Sequence, residues 1–316
     1  MRISGFSMVK NGVKLYYPVV EMIKSILPIV DEFIIAIGEG DDDTRKVVEE
    51  IGDPKIKIID TVWDLKKYPR GMENAHQTDI AKNACSGDWV FYLQADEVIH
   101  EKYLPVIKKR CEELFDNQEV EGLLFKYRHF WGDYNHYHIS HGWYPHEIRI
   151  VRNRPDIHSW ESAQSFRRIS DFDGLNYRQQ ENTFKLKVAL VDAFVFHYGW
   201  VRPPHLMVNK KKALDTVHKG SAKVEEMYKN VSDEFDYGPL QGLGVHKGSH
   251  PRVMEKTISK LDWQDKLQFS GKPNQLREPH KHEKPKYRFL TFLEQNICGG
   301  NQLGGFRNYK LIKGKI

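Results

Sequence analysis

Residues 84–97 read ACSGDWVFYLQADE, and the interpretation of this stretch decides the fold. Trp89-Val90-Phe91-Tyr92-Leu93 is a continuous apolar run, the pattern of a strand buried on both faces rather than of one with a solvated side. It stops abruptly in Gln94-Ala95-Asp96-Glu97, so two adjacent acids are expected at the end of a central strand. Because side chains alternate along an extended chain, Glu97 should point away from Asp96 and be the weaker candidate of the two for holding a cation.

Working toward the N-terminus, the same kind of run recurs. RISGFSMV reads as a strand, and KLYYPVVEMIKSIL places Val19, Ile23, Ile26 and Leu27 at helical spacing before Pro28. FIIAI is a short β-branched strand. DTRKVVEEIG reads as a helix with Asp43 as its N-cap and Gly52 as its stop, and KIKIID is the next strand. NAHQTDIAKNAC is helical and leads back to the central run. This βαβαβαβ order with apolar strands predicts an α/β fold built on a mostly parallel sheet with helices on both faces.

Toward the C-terminus the pattern changes. EGLLFKYRHFWG, HEIRIVRN, FKLKVALV and AFVFHYGW are strand-like, with aromatic and His-rich connections between them. A long polar helix is expected near Leu206 to Lys229, followed by a Gly/Pro/His loop, a short helix and a basic tail. The division expected is a core of residues 1–200, with its halves at 1–101 and 102–200, and a mainly helical extension over 201–316.

With 40% hydrophobic and 12% aromatic residues, the chain of 316 residues is globular rather than disordered. No apolar run approaches the roughly 20 residues that span a bilayer, and the first residues lack the apolar stretch of a signal peptide. Cys85, Cys111 and Cys298 lack metal-ligand spacing and read as reduced thiols, so a cytoplasmic protein is expected. The net charge of +5 is modest and does not point to a nucleic-acid partner. It is uneven, however. From Lys272 onward ten Lys and Arg face three Glu, an excess suited to peripheral attachment at an anionic inner-membrane surface.

In open α/β sheets ligands bind outside the carboxyl ends of the strands. Here those ends carry Val9 and Asn11, Glu39 with Asp41 to Asp43, Asp64, and Gln94 to Glu97. So acidic an edge suits a hard divalent cation that in turn holds a diphosphate. Gly38-Glu39-Gly40 is not a dinucleotide fingerprint, since the third glycine is missing and acids follow where a pyrophosphate would need bare backbone N–H groups.

The opening strand with Asn11, the IIAIGEGDDDT element and the ACSGDWVFYLQADE element resemble glycosyltransferase family 2, the nucleotide-sugar transferases of GT-A fold, over about residues 1–200. The resemblance implies a metal-dependent transferase with an inverting mechanism that moves a sugar from a nucleoside diphosphate to a hydroxyl acceptor such as a surface glycan. It implies Mn²⁺ or Mg²⁺ at Asp96, the last position of an Asp-x-Asp motif whose first position is Gln94 here. Val9, Asn11, Glu39, Asp64, Asp79, Gln94 and Ala95 are implied around the donor; for Asp79 a solvated helix face is an equal reading. His197, at the end of VDAFVFHYGW, is either a further metal ligand or a structural hydrogen-bonder. The middle of the chain is implied to serve the acceptor, through Trp143, Arg149 and Trp160, with Glu161 as proton acceptor and Glu147 as second choice. Two rivals stand beside this reading: a metal-dependent hydrolase using the histidines between His129 and His158, and a carbohydrate-binding homologue without turnover, which Gln94 would favour.

Overall fold

The computed structural model describes residues 1–312. Lys313 and Lys315 of the basic tail lie outside the described residues. The first half alternates as the sequence predicts: β1 (Ile3–Val9), α1 (Val19–Ile26), β2 (Glu32–Gly38), α2 (Thr44–Glu49), β3 (Ile56–Thr61), α3 (Met72–Asn83) and β4 (Trp89–Tyr92). Then follow β5 (Glu97–Ile99), α4 (Leu104–Glu113), β6 (Gly122–Trp131), β7 (His136–Tyr137), β8 (His146–Arg152), β9 (Ile157–Trp160), β10 (Ser165–Ile169) and β11 (Thr183–Trp200). The rest of the chain contributes α5 (Pro204–Lys219), α6 (Ser221–Met227), β12 (Gly244–Val245), α7 (Glu255–Ile258), α8 (Pro285–Asn296) and β13 (Tyr309–Leu311).

One large mixed sheet runs in the order β3-β2-β1-β4-β8-β6-β11-β10-β9. The first four strands are mutually parallel. Alternation sorts their side chains onto two buried faces. Phe33, Ile35, Phe91 and Leu93 meet Met22, Ile23 and Ile26 of α1 and Ile107 of α4. Phe6, Ile34 and Tyr92 meet Ala81 of α3 and Phe166. Burial on both sides is why β2 and β4 read as apolar runs, whereas the edge strand β3 carries exposed Lys57 and Asp60.

Three local expectations change. The segments FKLKVALV and AFVFHYGW form one strand, β11, whose register against β6 slips between Leu190 and Phe194. The polar helix is two helices, broken at Gly220, whose φ of 85° is closed to most side chains. At α2 the capping carboxylate is Asp42 rather than Asp43: its Oδ1 accepts from the Thr44 backbone N–H at 3.1 Å and from the Thr44 hydroxyl at 2.6 Å.

The residues after 200 return to the sheet. β13 pairs in parallel with β11 at Leu186–Val188. Trp263 is buried and donates its indole N–H to the Gly132 carbonyl at 2.9 Å, inside an aromatic cluster with Tyr134, Tyr198 and Tyr237. No helix among the described residues is long and apolar enough to cross a membrane.

Candidate functional site

Strand direction assembles the site. β8 runs antiparallel to both β4 and β6, and β11 runs parallel to β6, so β1, β4 and β11 all end at the same edge of the sheet. That edge opens into a cleft of about 590 Å³. Val9, Asn11, Gln94, Ala95, Asp96 and His197 all line it, although the last lies more than a hundred residues from the others.

The acids after β4 are not a simple continuation of that strand. β4 ends at Tyr92, Ala95 and Asp96 form a turn, and Glu97 starts β5, which pairs antiparallel with β11 so that Glu97 stands opposite His197. The Tyr198 N–H donates to the Asp96 carbonyl at 2.8 Å and fixes the turn to β11. The turn sends the two acids to opposite fates. Asp96 faces the cleft. Glu97 turns into the core, where neither it nor Arg149 has any exposed side-chain surface. Arg149 clamps it through Nε at 2.7 Å and Nη2 at 2.8 Å, while Tyr127 and the Gln94 N–H also donate to it.

Around Asp96 the structure gathers three basic groups. His197 Nε2 lies 3.6 Å from Oδ1 and Lys210 Nζ lies 3.6 Å from Oδ2. Arg202, fully buried, donates to the carbonyls of Leu15 and Gly199 close by. Burial alone would raise the Asp96 carboxyl; His197, Lys210 and Arg202 outweigh it and hold the group well below the usual carboxylate range. Burial, with Arg202 nearby, pushes the Lys210 ammonium down to about 8 against the opposing pull of Asp96.

His197 is oriented from behind. His129 Nε2 lies 2.8 Å from the Tyr144 carbonyl, which can only accept, so that nitrogen carries the proton. Burial, then His197, keeps His129 well below the ordinary histidine value, hence neutral, and its bare Nδ1 accepts from His197 Nδ1 at 2.9 Å. Nε2 of His197 is therefore the nitrogen turned to Asp96: a charged partner when protonated, a lone pair beside a carboxylate when not. This is the arrangement by which an outer hydrogen bond orients a metal-binding imidazole. Gly199 makes the approach feasible, because a Cβ there would fall 2.5 Å from both Asp96 Oδ2 and His197 Nε2.

The two other glycines at this edge act through space as well. A Cβ on Gly40 would lie 2.1 Å from Asn11 Oδ1, and one on Gly38 would lie 2.3 Å from Trp63 Nε1. Asn11, at φ 52°, accepts from the Asp41 N–H at 3.1 Å and so joins the β1 and β2 loops. Trp63 lines the cleft with its indole N–H buried and unpartnered, and Lys10 lies over its ring at 5.5 Å. Gln94 donates to the Ala163 carbonyl at 3.0 Å.

The remaining candidates from sequence are not brought to the cleft wall. Glu39 is exposed, with its N–H on the Thr61 carbonyl. Asp64 turns back to accept from the N–H groups of Lys66 and Lys67. Asp79 is buried and ties α3 to β9 through the Ser159 N–H at 2.7 Å and His158 at 2.8 Å, so neither a nucleotide contact nor a solvated helix face describes it. Arg149 is held by Glu97 in the core, and Trp160 is buried under Arg167. Glu147 is buried, raised by its burial, and held by Ser165 and Asn308. Glu161, at φ 55°, is part-exposed next to the cleft-lining Ser162, with Arg178 at 3.8 Å. Trp143 stacks on His138 at 4.0 Å, and its neighbour Tyr144 lines the cleft.

Sequence reasoning missed Lys210, Arg202 and Trp63, and also Tyr17 and Trp200, which line the same cleft. A lysine inside KKKALDT looks like one more solvated charge; only the burial of Met207 and Lys210 on one face of α5 distinguishes it. The histidine-rich middle segment does not form a centre of its own. His136 pairs with Asp133 and His141 with Glu294, and among the described residues no group of three or more His, Cys, Asp or Glu could hold a metal.

A mixed α/β protein with a charged cleft at the carboxyl edge of its parallel strands is the class that fold and site define. No family model matches the chain. A curated protein of Rickettsia felis described as an uncharacterized glycosyltransferase is 30% identical over 96 residues, covering 30% of this chain and 29% of that protein, so the chain matches less than a third of that relative's length. Among solved structures, S. aureus TarS 1-349 in complex with UDP gives a TM-score of 0.39 at 14% identity, over 72% of this chain and 69% of that one. Glucosyl-3-phosphoglycerate synthase from Mycobacterium tuberculosis, in complex with Mn²⁺, UDP and phosphoglyceric acid, gives 0.29 at 20% identity, over 41% and 43%. A mannosyltransferase from Pyrobaculum calidifontis in complex with GDP-mannose and Mn²⁺ gives 0.30 at 18% identity, over 39% and 34%.

Proposed function

We propose that this chain is a GT-A-type glycosyltransferase that moves a sugar from a nucleoside diphosphate donor to a hydroxyl acceptor, in our reading a growing surface glycan. One observation carries the proposal: Asp96, His197 and the buried Lys210 converge at the floor of a cleft that β1, β4 and β11 open at their carboxyl ends. The nucleoside lies along Val9, Lys10, Asn11 and Trp63, whose indole ring lines the cleft with the Lys10 ammonium 5.5 Å from the ring centroid. The diphosphate lies against Lys210, whose positive charge favours its departure. Asp96 and the Nε2 lone pair of His197 present two donors suited to Mn²⁺ or Mg²⁺, with further ligands left to phosphate and water; such an ion supplies Lewis-acid stabilisation of the leaving diphosphate.

Direct displacement with inversion needs a carboxylate to take the acceptor proton, and Glu161 at the cleft rim suits that role better than the enclosed Glu147. Trp143 and Tyr144 border the acceptor side. A screen of nucleotide-sugars for release of free nucleotide, paired with thermal shift by UDP and GDP with and without Mn²⁺, tests the reading. Turnover of at least one donor and stabilisation by its nucleotide are expected. No release and no nucleotide response with any donor would overturn it.

A further inference from the structure

We infer that the outer face of α8 is a docking surface for an anionic lipid bilayer. The helix is held to the body by one side only. Thr291 accepts from the His141 N–H at 2.9 Å, Glu294 meets His141 Nδ1 at 2.6 Å, and Gln295 donates to the Ile139 carbonyl at 3.1 Å. Phe289, directly away from those contacts, is 62% exposed; Phe292, at the edge of the groove between helix and body, is 58% exposed, and Ile297 just beyond the helix is 70% exposed. At 100° per residue these three and Leu293 share one arc of about 140°, with Arg288 on its flank and Lys286 within it at the first turn.

Charge identifies the partner. Lys281, Lys284, Lys286 and Arg288 are all exposed. Both acids of the segment are withdrawn: Glu283 is 4% exposed and clamped by Arg277, and Glu294 is 1% exposed and turned inward. A second copy of this face would set four cations against four cations with no acid between them, which opposes self-association. A soluble polyanion would answer the cations but leave the phenyl rings in water. An anionic bilayer answers both, since phenyl groups enter the headgroup boundary while Lys and Arg meet lipid phosphate. The same helix braces residues 139–143, which lead into the cleft-lining Tyr144, so attachment would bring the acceptor side of the cleft close to the lipid surface.

Flotation of the full chain with phosphatidylglycerol-containing vesicles and with pure phosphatidylcholine vesicles tests this. Association with the anionic vesicles that fades as salt rises is expected. Partitioning of F289S/F292S should fall by roughly tenfold or more. At about fivefold per cation, K284Q/K286Q/R288Q should lose roughly a hundredfold. Neither variant touches the cleft, so unfolding temperature and nucleotide binding should match the unsubstituted protein. Absence of association at low salt, or equal association of both variants, would overturn the inference. So would sedimentation showing a dimer that F289S/F292S converts to monomer. Failure of the donor screen would leave the vesicle result intact, so the two readings fail separately.

Discussion

Replacing Glu97 by Gln removes one charge from a pair sealed in the core, and the structure sets the size of the loss. Its two oxygens receive Arg149 Nε and Nη2, the Tyr127 hydroxyl and the Gln94 N–H, all at 2.7 to 3.0 Å, and neither side chain of the ion pair meets solvent. An amide of the same shape turns one of those acceptors into a donor that faces donors, and it leaves the guanidinium without a counter-charge. Breaking a buried pair from one side costs about 3–5 kcal/mol. For a chain of this length that is a fall in Tm of roughly 4–8 °C at the usual unfolding entropy per residue. Urea denaturation followed by tryptophan fluorescence, with calorimetry alongside, measures it. The paired replacement Glu97→Met with Arg149→Met should recover most of the loss, because apolar groups of similar volume need no counter-charge. Glu97 does point away from Asp96, as its place in the sequence suggests, and the cost of replacing it falls on stability. A Glu97→Gln protein within about 1 kcal/mol of the original would refute the argument, since a buried and uncompensated guanidinium cannot be that cheap.

Asp96→Asn should abolish metal-dependent nucleotide stabilisation in thermal shift while costing only about 1–2 kcal/mol, because Lys210 keeps its bond to the Gly199 carbonyl and can shed a proton; unchanged metal dependence would show that Asp96 is not the ligand. With the Lys210 ammonium near 8, nucleotide affinity measured by calorimetry should weaken as pH rises through that value, and Lys210→Met should be weaker throughout and flat across the same range. Gly199→Ala should separate Asp96 from His197 and lower nucleotide affinity by roughly tenfold or more, about 1.4 kcal/mol per tenfold. Glu32, although its burial acts to raise it, is brought down from 4.5 to about 2 by Lys57, Ser86 and Ser4. Its folded value lies below its unfolded one, so about 3 kcal/mol is present above pH 4.5 and is lost as pH falls toward 2. Glu32→Gln should therefore flatten the acid limb of a stability-against-pH curve, and an unaltered limb would assign that limb to other carboxylates.

The alternating strands and helices of the first hundred residues were legible because burial on both faces of a parallel sheet leaves an unmistakable mark, a run such as WVFYL or FIIAI with no charged position. Position at a strand's carboxyl end was legible for the same reason, and it is how Val9, Asn11, Gln94 and Ala95 at the cleft, with Asp96 and His197 at its charged floor, were found. What tertiary structure alone decided is where each charge points and what it meets. Asp96 and Glu97 are neighbours in sequence with the same chemistry, yet one tight turn sends the first into the cleft and the second to Arg149. Lys210 comes from a helix whose sequence reads as solvated, and it becomes a buried cation because α5 lays one face against the end of β11. A sequence lists ionisable groups, but their roles are set by distances between residues tens or hundreds of positions apart, and the Coulomb and desolvation energies that separate a ligand from a clamp depend on those distances.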